Sequence, residues 1–297
     1  MHPAGSVILF TVLSGAGFGL LACLGLGLVP VHGLDALLRW GLGYGLAVAG
    51  LVASTFHLGN PQRALRAFSQ WRTSWLSREG WASVGALLLL APVALAAIMG
   101  GGLPGFYGAV GAAFCALTIL ATSMIYAQLA TVPRWNHWTT PALFFGFAAA
   151  GGTMLAGLVV PAAILTALLG ALLILAFKLG DRRFAARGAT IGSATGLGGR
   201  GRVRVLAPPH SSPNYLMREM IFTVGRRHAA RLRVIAVVLA AGLPLLILLF
   251  VPPFPVVMAV AAVIHLLGAL VARWLFFAEA EHVVGLYYGA HVTPGAR

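Results

Sequence analysis

Charged residues are scarce in this 297-residue chain: they make up 9% of the sequence, and Asp and Glu together number only six. A soluble domain carries roughly 25% charged residues. Hydrophobic residues account for 60% of the chain, so most side chains must face lipid or other apolar helices rather than water. The composition therefore excludes an ordinary soluble globular protein.

Cysteine is almost as scarce. Cys23 and Cys115 both lie in apolar runs, and neither is near the other or near a cluster of His or Asp residues. Iron–sulfur clusters and structural metal sites need several such ligands, so we exclude both and interpret the cysteines as small buried hydrophobes. The first residues, Met1 to Ser6, lack the basic region of a secretory signal, and the first apolar run is expected to be retained.

Long apolar runs dominate the rest of the sequence. A helix that crosses the bilayer needs about 20 apolar residues, and prolines divide the two longest uncharged stretches, at 139–177 and 234–272. The sequence predicts an all-α polytopic membrane protein, a single bundle of eight transmembrane helices. The predicted spans lie near residues 7–29, 34–56, 81–99, 106–127, 139–159, 161–177, 234–251 and 256–277.

The basic residues fall on one side of this predicted bundle. All of the Lys and Arg residues except Arg39 lie in the segments after spans two, four, six and eight, if Arg273 is counted with the last of these segments. By the positive-inside rule this face is expected to be cytoplasmic, with both termini inside. The net charge of +14 is thereby explained without nucleic-acid binding.

Two further features concern packing and the longest loop. Gly15 and Gly19, and likewise Gly41 and Gly45, have the spacing of small residues that lets helices approach closely, so they are expected to pack spans one and two together. The hydrophilic stretch 180–232 is predicted to be a cytoplasmic loop with a short amphipathic helix over residues 214–228.

Ionisable residues are nearly absent from the centres of the spans. His265 is the exception; we expect it to bond to a neighbouring helix, because a haem would need a second axial ligand at similar depth. A small-solute transporter would also have about eight spans, but it should carry polar groups at the midplane. That alternative is therefore less consistent with the sequence.

A cluster of polar and aromatic residues lies at the inner ends of spans two to four. His57 closes span two and Glu79 opens span three, so both are expected at the same interfacial depth. A neutral imidazole and a carboxylate could bond the carbonyls of a quinone and exchange its protons. Nearby tryptophans such as Trp75 could wall such a site, but ordinary interfacial anchoring is the alternative interpretation.

The run His57-Leu-Gly-Asn-Pro-Gln-Arg63-Ala, followed by Thr73-Ser-Trp75-Leu-Ser-Arg78-Glu79, resembles the motif of the DmsC family. The family comprises the membrane anchors of dimethyl-sulfoxide-reductase-type molybdoenzymes. Met1-His2-Pro3-Ala4, the segment from Asn214 to Met220 and the eight-span plan extend the resemblance over nearly the whole chain.

The resemblance implies a non-catalytic third subunit beside a molybdopterin subunit and an iron–sulfur subunit, exchanging electrons with ubiquinone or menaquinone. It further implies a bacterial inner membrane as the location. It also implies that this chain carries no haem, no iron–sulfur cluster and no metal, and that His57 and Glu79 contact the quinol. Around them we expect Arg63, Arg78, Trp75 and Tyr126, with Arg63 and Arg78 keeping Glu79 ionised. Docking of the iron–sulfur subunit is expected on Arg66, Arg72, Arg134, Arg218, Arg226 and Arg227.

The basic face also bears on which complex is anchored. If the docking face is cytoplasmic, the chain is similar to the SoeC branch of the family, which anchors cytoplasmic sulfite-oxidising complexes and would reduce quinone. The alternative is the quinol-oxidising anchor of a dimethyl sulfoxide reductase-like complex, whose partners lie on the other side of the membrane. A tightly bound partner can override the charge rule, so both directions stay open here.

Overall fold

The computed structural model is a bundle of long helices connected by short turns. It describes residues 1–56, 60–204, 206–207, 216, 220 and 228–288, and of Pro61, Arg63 and Ala64 only the backbone. The described part contains no strand, so the predicted all-α class is confirmed. The principal helices are α1 (Gly5–Gly25), α2 (Gly33–Thr55), α3 (Trp75–Ile98), α4 (Gly105–Ala127), α5 (Thr139–Leu155), α6 (Val159–Ala186), α7 (Ala229–Phe250) and α8 (Pro255–Ala278).

Seven of these helices are long and apolar enough to cross a membrane, counted over the described ranges. Helix α5 is apolar but has 17 residues, slightly fewer than the 20 or so that a perpendicular crossing needs. The count of eight crossings and the side on which the termini lie therefore stay predictions.

Three helices extend well beyond the predicted spans because polar residues continue them outside the apolar stretch, and one of them, α7, begins at Ala229, five residues before its predicted span. Helix α3 begins at Trp75 rather than near residue 81, which places Glu79 in its second turn. Helix α6 continues to Ala186, nine residues past the predicted end of its span. Lipid exposure requires apolar side chains, whereas helix propagation does not, so charged turns at the membrane surface remain helical.

Helix α1 is the central element of the bundle, with 78% of its most apolar stretch buried inside the protein. Its contact with α2 uses Gly17, where an added Cβ would lie 2.3 Å from the Ala47 nitrogen, and Gly50, where one would lie 2.5 Å from the Ser14 nitrogen. Gly19 instead faces α5, since an added Cβ there would lie 2.0 Å from the Ala148 oxygen.

The predicted glycine pairs are therefore wrong in register. An added Cβ would meet no atom within 4 Å at Gly15, Gly41 or Gly45. The prediction that close backbone approach joins α1 to α2 holds, but a different set of small residues provides it. Gly19, which was assigned to this contact, joins α1 to α5 instead.

Two rims can be distinguished at the ends of the bundle. The basic rim consists of the connections after α2, α4, α6 and α8, and the arginine-poor rim of the connections after α1, α3, α5 and α7. At the arginine-poor rim Arg39 binds Asp35 at 2.8 Å and donates to the Ala156 oxygen at 2.8 Å, which ties α2 to the end of α5.

Four charged side chains join several helices at the basic rim. Asp181 of α6 accepts from Arg134 and from Arg233 of α7, each at 2.5 Å. Glu279, directly after α8, accepts from the same two arginines, at 3.1 Å from Arg134 and 2.6 Å from Arg233. This network holds the α4–α5 connection against three helices.

Candidate functional site

Glu79 is held inside the bundle near the basic rim. It lies in the second turn of α3, its residue surface is 4% exposed, and its carboxyl group bonds to the Thr122 hydroxyl of α4. Burying a carboxyl group in an apolar helix bundle is costly unless it is bonded or neutral. A carboxyl group kept at this position therefore points to a chemical role rather than to packing.

The Thr122 hydroxyl allows Glu79 to carry or to release a proton. A hydroxyl has one proton to donate, and Thr122 lies within bonding distance both of Glu79 and of the Thr118 oxygen, the latter at 2.9 Å. Thr122 can donate to an ionised Glu79, or it can donate to Thr118 and accept from a protonated Glu79. Both arrangements use the same heavy-atom positions, so proton exchange requires no rearrangement.

The segment before α3 packs onto the turns that carry Glu79. A 3-10 helix at Pro61–Phe68 precedes α3, and the Ser77 hydroxyl donates to the Ala67 oxygen while accepting from the Gln70 nitrogen. The Trp81 ring donates to the Phe68 oxygen at 3.0 Å and lies edge-on to the Phe68 ring. The described part of this connection, residues 60–74, is thus fixed against the face of α3 that carries Ser77 and Trp81, in the same turns as Glu79.

Tyr126 belongs to an aromatic cluster rather than to an open wall. It lies one turn beyond Thr122 on the same face of α4, and it is buried against the rings of Trp135, Phe144 and Phe276, with centroids 5.3 to 5.8 Å apart. The structure thus places Tyr126 on the helix face that carries the Glu79 partner.

Arg78 contacts Trp75 and the loop before α3 rather than Glu79. The Arg78 guanidinium stacks on the Trp75 ring at 4.3 Å and donates to the oxygens of Trp71 and Arg72. Arg78 therefore stabilises the loop before α3. The expected ion pair between Arg78 and Glu79 is not formed, and the described partner of Glu79 is Thr122.

The expected docking residues differ in how available they are. Arg66 and Arg72 are exposed on the loop before α3. Arg134 is committed to Asp181 and Glu279 within the chain, and its side chain is 16% exposed. His57, Arg218, Arg226 and Arg227, the amphipathic segment 214–228 apart from three of its residues, and the side chain of Arg63 lie outside the described residues, so their roles stay predictions.

Two histidines at the basic rim add no charge to it near neutral pH. Burial and the nearby Arg183 lower the pKa of His137, and burial together with the Met1 amino group lowers the pKa of His282. The positive charge of this rim comes mainly from its arginines, which are not deprotonated near neutral pH. An acidic partner would therefore meet a positively charged surface in that pH range.

His265 bonds to a neighbouring helix, as expected. Its Nδ1 lies 2.7 Å from the Ala240 oxygen, within a π-helical turn, Val238–Gly242, that interrupts α7. A π turn displaces backbone carbonyls from the regular ladder, so one is free to accept from another helix. The bond fixes the proton on Nδ1, because a carbonyl can only accept.

Arg273 does not lie where the sequence predicted. It was counted with the loop after the last span, but it lies inside α8 and is 3% exposed. Its guanidinium carbon is 3.5 Å from the centroid of the Phe144 ring. Position 273 is eight residues after His265, two turns along the same helix face, and that spacing is the signal that could have identified it.

The fold and the site together define a multi-pass helical membrane protein with a buried carboxyl group near one rim. The sequence model of the DMSO reductase anchor subunit (DmsC) family matches residues 1–289. The chain is also 30% identical to the C subunit of sulfite dehydrogenase from Allochromatium vinosum, over 97% of this chain and 99% of that protein. No solved structure matches.

The chain therefore belongs to the DmsC family of membrane anchor subunits. The resemblance drawn from the motif around residues 57–79 is confirmed over nearly the whole length. Membership makes this protein the membrane-embedded subunit of a larger complex that includes catalytic partners.

Proposed function

We propose that this chain is the quinone-reactive anchor of a three-subunit molybdopterin oxidoreductase. The iron–sulfur subunit would dock on the basic rim and pass electrons to a quinone bound near the inner ends of α2, α3 and α4. The buried Glu79, bonded to Thr122 at that end of the bundle, is the observation that carries this proposal.

The chemistry assigns a proton-exchange role to Glu79. Reduction of a quinone to a quinol consumes two electrons, supplied by the partner subunits, and two protons. Glu79 would give one proton to a quinone oxygen and then recover a proton from water. His57, by its place in the family motif, would bond the other oxygen and pass it the second proton, which it likewise recovers from water. The two alternative hydrogen-bond arrangements at Thr122 support this role because they let Glu79 change its protonation state in place.

We propose further that the anchored complex oxidises sulfite and reduces quinone. The relative from Allochromatium vinosum belongs to a sulfite dehydrogenase, and the basic rim fits partners in the cytoplasm. Oxidation of sulfite with water to sulfate yields two electrons and two protons in the molybdopterin subunit, which matches the demand of one quinone.

Substitution of Glu79 and His57 tests the quinone site. Glu79→Gln and His57→Ala in the assembled complex should each lower quinone-linked turnover at least about 100-fold, in line with the loss of a positioned proton-exchange group. Activity with an artificial dye that accepts electrons from the partner subunits should stay unchanged. Asp35→Asn is the matched control, because Asp35 is a paired carboxylate at the arginine-poor rim.

Wild-type quinone turnover in Glu79→Gln would remove Glu79 from the mechanism. The direction of electron flow is tested with the same preparation by supplying sulfite and quinone, or quinol and a sulfoxide. Turnover with the second pair alone would assign the chain to a quinol-oxidising reductase instead.

A further inference from the structure

A small cavity lies in the middle of the bundle, between α1, α4, α5 and α8, and its volume is about 20 Å³. A cavity needs about 10–15 Å³ to hold a water molecule, together with polar partners for that water. This cavity meets both conditions. Its polar lining consists of Thr11, Ser14, Thr118, Thr122, His265 and Arg273.

Arg273 brings a permanent charge to this cavity. The guanidinium packs on the faces of Phe144, Phe147 and Phe276, and no carboxylate of the described residues lies within 4 Å of it. Aromatic faces stabilise a cation, but burial of an unpaired charge in an apolar bundle remains costly. A negative charge near Arg273 would offset that cost.

Thr122 connects the cavity to the nearest described candidate for that charge. Thr122 lines the cavity from α4, and its hydroxyl bonds to Glu79. Tyr126, one turn along α4, packs on Phe144 and Phe276, two of the rings on which the Arg273 guanidinium rests. The direct partner of Glu79 thus lines the same cavity as Arg273.

Two further cavities lie toward the basic rim. A second cavity of about 40 Å³ shares Phe147 and Arg273 with the first and extends to Arg134 and Glu279. Those two residues also line a third cavity, of about 90 Å³, at the rim itself. Arg273 lines both the first and the second cavity.

We propose that Arg273 is the charge partner of Glu79, acting through Thr122 and a water molecule in the cavity. Arg273 is then a positioning residue: it stabilises the carboxylate that Glu79 becomes when it gives up its proton. This inference rests on the proposed function only in assigning the proton of Glu79 to a quinone. The pairing of Arg273 with Glu79 does not depend on that assignment.

Other ionisable groups around the pair must be held constant in any test. Glu79 is approached by Tyr126 from α4 and by the α2–α3 connection, whose His57 and Arg63 side chain lie outside the described residues. Helices α1 and α5 place only uncharged side chains around the cavity. The remaining ionisable groups that line the two inner cavities are His265, Arg134 and Glu279.

Infrared titration of the purified complex tests the pair directly. The carboxyl band of Glu79 is assigned by its loss in Glu79→Gln, and its disappearance with rising pH gives the titration midpoint. In Arg273→Gln the midpoint should move upward by about one pH unit or more, the shift that a nearby opposite charge produces. Arg273→Lys should keep most of the wild-type behaviour, and Arg39→Gln, at the arginine-poor rim, should cause no shift.

An unchanged or lowered midpoint in Arg273→Gln would overturn the pairing. A thermal-unfolding cycle gives a second readout that does not depend on activity. Glu79→Gln leaves Arg273 without its partner and should lower the melting temperature, whereas Glu79→Gln combined with Arg273→Met should recover most of the loss. If the losses in melting temperature of the two single variants simply add in the double variant, the pairing would also be overturned.

These readouts separate the two proposals. If Arg273 and Glu79 are coupled but the Glu79→Gln variant still reduces quinone, the pairing stands and the proposed quinone role of Glu79 is refuted. If Glu79→Gln abolishes quinone turnover but the two residues are not coupled, the quinone role stands and the pairing is refuted.

Discussion

Glu279 offers a sharp test of how the basic rim is held together. Its side chain is 5% exposed and accepts from Arg233 at 2.6 Å and from Arg134 at 3.1 Å. Glu279→Gln keeps the shape of the side chain but removes its charge. The variant should be less stable because two arginines lose their shared buried carboxylate.

The size of the effect follows from the exposure of the partners. Breaking a buried ion pair costs 3–5 kcal/mol, whereas breaking an exposed one costs less than about 1 kcal/mol. Arg134 and Arg233 are 16% and 26% exposed and keep Asp181 as a partner. We therefore expect Glu279→Gln to lower the free energy of unfolding by about 2 kcal/mol, between these limits.

Denaturant unfolding in detergent micelles, at low and at high salt, measures the effect. Salt screens exposed pairs but has little influence on buried ones, so the Glu279→Gln loss should persist at high salt. Asp35→Asn removes an exposed pair at the other rim and should cost little at any salt concentration. If Glu279→Gln lowers the free energy of unfolding no more than Asp35→Asn does, Glu279 does not act as a stabilising buried partner of the two arginines.

Three further predictions address packing, orientation and partners. Gly19→Ala places a Cβ 2.0 Å from the Ala148 oxygen and should lower the yield of folded protein in a fluorescence-detected size-exclusion assay; Gly15→Ala, with open space, should not, and equal yields would contradict the packing. Alkaline phosphatase fused at Gly102 should be active and at Gly199 inactive, because the basic rim is expected in the cytoplasm; the opposite pattern would invert the topology. Affinity purification of the full-length chain should recover two further subunits, with molybdopterin and iron–sulfur clusters by elemental and cofactor analysis, and recovery of the chain alone would favour a transporter.

The fold class could be predicted because lipid imposes a single rule on every span. Uncharged runs of about 20 residues must be helical, since a bilayer leaves no other way to satisfy the backbone. Helix ends were less predictable: the first turns of α3, around Arg78 and Glu79, are polar yet helical. Hydropathy locates the part of a helix that lies in the membrane core, but it does not show where the helix ends.

Packing register could not be read from small residues alone. Helix α1 carries glycine at positions 15, 17, 19 and 25, so several of its faces permit close approach. Which face meets α2 depends on the complementary shape of α2, and the structure selects Gly17 rather than Gly15.

The candidate site was only partly predictable for a related reason. Motif spacing identified Glu79, but Thr122 and Arg273 belong to α4 and α8, and their proximity to it depends on tertiary packing. Counting arginines by side assigned Arg273 to a loop although position 273 falls within the predicted span 256–277, because the count considered only the end of the bundle that each charge is near.

A structure of the whole complex with bound quinone would locate the quinone site itself. We expect density for the quinone head group at the basic rim, beside Glu79 and the end of α2, within reach of the last iron–sulfur cluster of the partner. Quinone density at the arginine-poor rim, near Asp35 and Arg39, would contradict this expectation.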